Sequence, residues 1–386
     1  MQKFNKIIIT LTFSVASILA GCSAITGGTD NSEPPQTLSK IKPSKNLVKL
    51  WSEKVGGGDY ADYLSLKPLL LKDKVITVDA RGSLQARNAV NGKLLWNKKL
   101  KDKVNAGVSG DEEKLFLGLA NGSVMAVDAK SGDKIWTQAL NKNILSNPAY
   151  DGKNVYLQST DGTLSSLQAS TGKLNWEYKV VMPDLTLYST SSPVVWNNYV
   201  LAGFANGKMV AFNKQTGTPS WDYQVAIPNG RSSIQRMVDI SATPVIANNT
   251  LYVVSYQGNM VAVDLSNGEE LWKSSLSSIT DFTIDNKHLY VSDTEGTVWA
   301  LNSSNGRVLW QQPNLHMREL SGTAILNNTV LVGDYAGYFH GLAFDNGDFV
   351  ARTKVGPSGI RVAPQVKNDI IYVLDNSGRL VAYKLA

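Results

Sequence analysis

The stretch Asn121-Gly122-Ser123-Val124-Met125-Ala126-Val127-Asp128, followed by Gly132 and Trp136, decides how this chain folds, because the chain repeats it. A turn glycine, an alternating run, a second turn glycine and a tryptophan return in fixed register as Gly82, Gly92 and Trp96, and as Gly162, Gly172 and Trp176. They return again as Gly207, Gly217 and Trp221, as Gly258, Gly268 and Trp272, and as Gly296, Gly306 and Trp310. Two copies are incomplete: after Gly337 and Gly347 the tryptophan position holds Ala351, and after Gly378 the chain stops at Ala386. Between Gly82 and Gly378, 296 residues apart, the seven intervals average about 42 residues. That period belongs to a four-stranded propeller blade.

Within the third copy, Asn147 to Tyr150 leads to a turn at Asp151-Gly152, Val155-Tyr156-Leu157 alternates toward Asp161-Gly162, and Thr163 to Ala169 runs to Ser170-Thr171-Gly172. Lys173 to Val180 then makes a fourth strand. Asp-Gly, Asn-Gly and Ser-Gly pairs between alternating runs are hairpin signals, since glycine takes positive φ without steric cost. A four-stranded sheet with two apolar faces must pack against its neighbours, and a tryptophan on each outer strand would fill the gap between blades. The last copy lacks its fourth strand, while Asn46 to Val55, with Trp51, reads as a fourth strand lacking the first three. The sequence therefore predicts an all-β, eight-bladed β-propeller of four-stranded antiparallel blades, the last closed by the N-terminal strand, as one domain over residues 45–386. Closure removes a free sheet edge. A seven-bladed ring is the alternative, should the weakest copy be misread.

Composition sets the remaining bounds. With 386 residues, 43% hydrophobic and 18% charged, the chain can bury a sizeable core. The formal charge of +6 is spread through the turns, which suits a solvated surface and no nucleic-acid partner. One cysteine, Cys22, rules out an internal disulfide or a thiolate metal cluster, and His288, His316 and His340 stand in unrelated contexts, so neither a metal site nor a histidine triad is expected. His340, beside Phe339, reads as packing, as do Trp196 and Trp299. Gly56-Gly57-Gly58 lacks the Lys-Ser/Thr of a phosphate cradle and reads as a linker.

Residues 1–21 carry Lys3 and Lys6, an apolar run from Ile7 to Ala20 and a small-residue end, the three parts of a secretory signal and too short for a comfortable bilayer span. Leu19-Ala20-Gly21-Cys22 resembles a bacterial lipobox, which implies cleavage before an acylated Cys22. Ser23-Ala24 in place of an aspartate implies sorting to the outer membrane. A plain signal peptide with an incidental cysteine is the alternative. Loss of two lysines with the signal leaves the mature charge at +4. Residues 22–44 are polar and turn-rich, a flexible tether whose r.m.s. reach is roughly 25 Å.

The repeat resembles that of quinoprotein alcohol dehydrogenases, whose chemistry needs a Ca²⁺-held quinone, a catalytic aspartate and often a disulfide of adjacent cysteines. This chain has no second cysteine, and its aspartates fit turns better than calcium loops. No catalytic residue and no cofactor is expected. The irregular feature is two insertions: glycine spacings near 40 lengthen to 45 between Gly162 and Gly207 and to 51 between Gly207 and Gly258. Both fall between a fourth strand and the next blade's first strand, so both emerge on one rim, and insertions confined to one face commonly mark a binding surface. They carry Met182 to Tyr188, and Ile227 to Asp239 with Arg231, Ile234 and Arg236. Leucines beside Tyr, Arg and Asp have the character of a protein interface. The alternative is that these side chains fold beneath their own loops.

With the lipobox, the Val55-Gly56-Gly57-Gly58 string, the stretch Gly333 to His340, Pro183-x-Leu185-x-Leu187 and Arg236-x-x-Asp239-x-x-x-Thr243-Pro244, the chain resembles the BamB family, lipoprotein propellers of the outer-membrane β-barrel assembly machinery. The resemblance implies a non-catalytic accessory on the periplasmic face of the outer membrane, held by its lipid anchor. It further implies binding to the POTRA domains of BamA through Leu185, Leu187, Tyr188, Arg236 and Asp239. Free blade edges would also allow pairing with nascent outer-membrane β-barrel proteins. The chain departs from the family at Tyr188, where Arg is usual, and at Ser241, where a second acid is frequent, so two of the charges the resemblance would imply are not carried here. A periplasmic propeller binding a small ligand or quinone in its central channel is the other reading.

Overall fold

Thirty-two strands and no helix form among the described residues, 33–57 and 64–386, of the computed structural model. They make eight antiparallel four-stranded sheets, the blades of the propeller. Seven blades are consecutive in the chain. Blade three shows the pattern, with strands Ala149–Tyr150, Asn154–Gln158, Thr163–Gln168 and Leu174–Lys179 from the inside outward. Its second and third strands are buried along most of their length, whereas the outer strand alternates between exposed and half-buried. That gradient follows from a sheet covered on both faces by neighbouring blades and wet only at its outer edge.

The glycine-to-tryptophan spacing has a specific cause. In blade two Trp136 lies opposite Ala126 on the adjoining strand, a small residue that leaves room for the indole. The Trp136 indole N–H donates to the Ala169 carbonyl of blade three at 3.0 Å. The ring then forms the floor under Gly172, where an added Cβ would come within 2.7 Å of Cε3 and where φ is +76°. The same bond and the same contact recur from Trp51 to Ala89 and Gly92, and from Trp310 to Phe344 and Gly347. Each tryptophan thus ties its blade to the third-to-outer hairpin of the next. Burial of such a ring stabilises by about 3 kcal/mol or more, judged from the cost of deleting one.

Blade eight orders Leu47–Lys54, Arg379–Leu385, Ile370–Leu374 and Gln365–Lys367, so the N-terminal strand closes the C-terminal sheet. Its register runs from Leu47 opposite Leu385 to Lys54 opposite Arg379. This closure explains the missing tryptophan at Ala351. A tryptophan in blade seven would need the third-to-outer hairpin of blade eight, and that hairpin does not exist, because the two strands come from opposite ends of the chain.

Alternating strand direction sorts the connections onto two rims. Turns between second and third strands share one rim with the crossovers from an outer strand to the next blade. Turns between first and second strands, and between third and outer strands, occupy the other. Both long insertions are crossovers, lying between Lys179 and Val194 and between Gln224 and Val245. The first rim is therefore the insertion rim.

Three expectations change. The segment read as a free tether to residue 44 is held against the blades from Gln36 onward: the Gln36 N–H donates to His316 O, and the Ser44 and Lys45 N–H groups to Val350 O. Its carbonyls meet arginine donors that composition alone does not reveal. His340 is fully buried, as expected, but it belongs to a charged network with Asp334 and Arg352 rather than to apolar packing. Gly57 likewise does more than link, since its N–H donates to Asp79 Oδ2 at 2.8 Å.

Candidate insertion-rim interface

The second insertion is anchored before it is exposed. Met237, Val238 and Ile240 are buried, and Ile240 packs with Leu201, Leu251 and Val253 between blades four and five. Upstream, the Gln235 side chain accepts the N–H groups of Arg231 and Ser232, and Arg236 donates to Arg231 O and Ser233 Oγ. The loop is therefore shaped by its own hydrogen bonds. Arg236 lies at the surface, together with Ile227 and Ile234.

The two insertions are tied together by Asp239. Its Oδ1 accepts the Leu187 N–H at 2.8 Å, and its backbone carbonyl accepts the Tyr256 N–H. The residue is 1% exposed, and Oδ2 has no hydrogen-bond partner among the described residues. Burial pushes the carboxyl up to about 6, only partly opposed by its backbone hydrogen bonds. A direct charged contact between Asp239 and a partner is therefore closed off in this conformation; the side chain acts by placing Leu187. Ser241 is buried too, with its hydroxyl unpartnered among the described residues.

The other expected residues separate by depth. Leu185 and Tyr188 are exposed, Tyr188 by 58%, whereas Leu187 is half-buried. Leu187 and Tyr188 also line a cavity of about 430 Å³ at the channel mouth, with Leu64, Leu145, Ile279 and Arg361. Inside it Lys67 pairs with Asp281. Burial alone would raise the Asp281 carboxyl, but the Lys67 charge and the Thr243 N–H outweigh that and hold it below the usual range. Among the described residues no three His, Cys, Asp or Glu side chains converge as a metal site. Cys22 lies outside the described residues.

Sequence reading missed Val181, 88% exposed, and did not single out Ile227, 75% exposed, as surface. Asn206 in the blade-four turn donates to Val181 O, and Gln257 in the blade-five turn to Ile234 O, so Val181 and Ile234 stand beside turns of the same rim. Their only signal in the sequence is the length of the insertions. Solvated loops need no such side chains, and an apolar group of this kind rimmed by polar residues is what a protein interface requires.

Residues 80–312 match the family model described as Outer membrane protein assembly factor BamB. A relative of that name from Pseudomonas aeruginosa is 42% identical over 373 residues, covering 96% of this chain and 98% of the relative. One from Kangiella koreensis is 40% identical over 364 residues, covering 94% and 92%. The crystal structure of BamB from Moraxella catarrhalis superimposes with a TM-score of 0.81 at 24% identity, over 88% of this chain and all of that one, a likeness of fold.

Proposed function

The chain belongs to the BamB family of outer membrane protein assembly factors, and from that premise we propose that it is a non-catalytic scaffold of the outer-membrane β-barrel assembly complex. In this reading it is anchored to the periplasmic face of the outer membrane through acylated Cys22 and binds the POTRA domains of BamA. The observation that carries the reading is the insertion rim, where Leu185, Tyr188, Ile227 and Ile234 are held in the open by a loop framework that Asp239 closes from beneath. A rigid ring presents such a surface with little ordering cost on binding, which favours affinity. Its outer strands leave backbone groups available to a nascent barrel strand, the geometry of β-augmentation.

The test is a double change, Leu185→Ala with Leu187→Ala, assayed against isolated BamA POTRA domains. Loss of two central apolar anchors commonly costs about 2 kcal/mol or more, roughly a thirtyfold weakening. Leu185, being exposed, should carry its share without altering the thermal midpoint. Wild-type affinity in a folded double variant would mean that this rim is not the partner surface.

A further inference from the structure

The N-terminal strand begins on the rim opposite the insertions. Leu47 pairs with Leu385 at the far end of its blade, and Lys54 with Arg379, which follows the insertion-rim turn at Asp375 to Gly378. A tether leaving directly from residue 46 would depart from the rim opposite the insertions. Residues 36–45 prevent this. At one end the Lys45 ammonium donates to Asn327 O, in the first-to-second-strand turn of blade seven, and to Thr329 Oγ1. At the other, Gln36 donates to His316 O, in the crossover from blade six to blade seven. The segment therefore crosses the height of the ring, from the opposite rim to the insertion rim.

A buried charge network grips it on the way. Arg318, 5% exposed, places Nε and Nη2 on Asp334 Oδ2 at 2.8 and 2.7 Å and gives Nη1 to the Gln36 carbonyl at 2.9 Å. His340 Nε2 lies 3.1 Å from the same Asp334 oxygen, so its Nδ1 is left to accept the Arg352 Nε–H at 3.0 Å. Arg352 Nη1 then donates to Ser39 O at 2.6 Å. Between the two gripped carbonyls, Leu38 packs against the core of blades six and seven. Arg318, Asp334 and His340 are buried, and charges so placed are expensive to hold unless paired. Arg352 is half-buried, its Nη2 without a hydrogen-bond partner among the described residues, and its Nη1, like that of Arg318, is satisfied by a carbonyl of the polar segment, so the relay points to a built attachment.

We propose that residues 36–45 are a strap that returns the chain to the insertion rim, so that the anchored end and the partner surface face the same lipid surface. The inference rests on the reading of Cys22 as the anchor. With the strap docked, the chain enters the ring at Gln36, on the insertion rim, rather than at residue 46 on the opposite one. The insertion rim is thereby kept close to the bilayer and turned toward it.

Because Cys22 is the one cysteine, it can carry a fluorescent donor in a chain lacking only residues 1–21 and left unacylated. An acceptor on a non-natural amino acid goes either to Thr294, in the insertion-rim turn of blade six, or to Asn346, in the opposite-rim turn of blade seven; both are exposed. The strap requires greater transfer to Thr294. Arg352→Gln combined with Leu38→Ser should reverse that order, and Arg352→Gln alone, the milder change, should narrow it. Transfer to Asn346 that equals or exceeds transfer to Thr294 in the unaltered chain overturns the strap. The anchor is tested separately, by floating the native protein on phosphatidylethanolamine–phosphatidylglycerol vesicles with a headgroup acceptor and a donor at either position. Flotation with the Thr294 donor nearer the lipid is expected. Failure to float overturns the anchor half alone, and flotation with Asn346 nearer overturns the orientation.

Discussion

Asp239→Asn separates placement of a loop from contact with a partner. In the ring the ionised carboxylate is buried with one oxygen unpartnered among the described residues, and its pKa stands near 6 against an ordinary value of about 3.9. That difference sets a ceiling of roughly 3 kcal/mol on what the charge costs the fold at neutral pH. An asparagine keeps the Oδ1 acceptor for Leu187 and removes the charge, but it brings an amide N–H that lacks a partner, at about 1 kcal/mol. The variant should therefore be more stable than wild type by about 1 to 2 kcal/mol at pH 7.5. The sign with pH follows from proton binding. Between about pH 6 and pH 4 the folded chain holds a proton that the unfolded chain has released, so this group's cost falls as the pH falls. Below about pH 4 both states hold it, and the advantage of asparagine disappears. Urea unfolding at pH 7.5 and pH 4 reads both limbs, and affinity for POTRA domains on the same preparations reads the loop. Asp239→Asn should bind like wild type at any salt concentration, whereas Asp239→Ala, which frees Leu187, should bind about tenfold more weakly. An asparagine variant less stable than wild type at pH 7.5, or one with a salt-dependent loss of affinity, would refute the buried-clamp account and restore a direct charge contact.

The remaining expectations concern the ring and its anchor. Gly132→Ala places a methyl 2.7 Å from the Trp96 ring at a φ of +74°, whereas Gly152→Ala, at φ +90° with nothing within 4 Å, meets backbone strain alone. The first should lose about 1 to 3 kcal/mol more than the second in denaturant unfolding. Deleting residues 45–56 removes a paired strand and Trp51, worth about 3 to 5 kcal/mol for the ring side chain alone, and should lower the thermal midpoint far more than deleting 23–33. Mass spectrometry of native protein should find acylated Cys22 as the first residue; an unmodified or different N-terminus would remove the anchor.

How much of this was legible in the sequence depends on whether a residue's role repeats. Trp136 and Gly172 can be read because the same indole-to-carbonyl bond and the same close approach are required at successive blade junctions, so the chain states the rule several times over. Even the exception was legible as an exception: Ala351 marks a seam, and its cause became visible only when the closing strand supplied no hairpin for a tryptophan to support. Residues that act once left no such trace. Asp239 looked like a rim charge because its neighbours are loop-like, yet its depth is set by Met237, Val238 and Ile240, whose burial between blades no local pattern encodes. His340 read as packing for the complementary reason, since the arginines that surround it come from positions 318 and 352 and meet it only once blade seven has formed. The same holds for the polar segment before residue 45. Composition correctly shows that it cannot build a core, but a segment with no core of its own can still be fixed when arginines of the blade need its carbonyls, as the buried Arg318 and the half-buried Arg352 need those of Gln36 and Ser39. Repetition made the ring readable, and the one-off charges buried within it decide where its loops and its N-terminal segment are held.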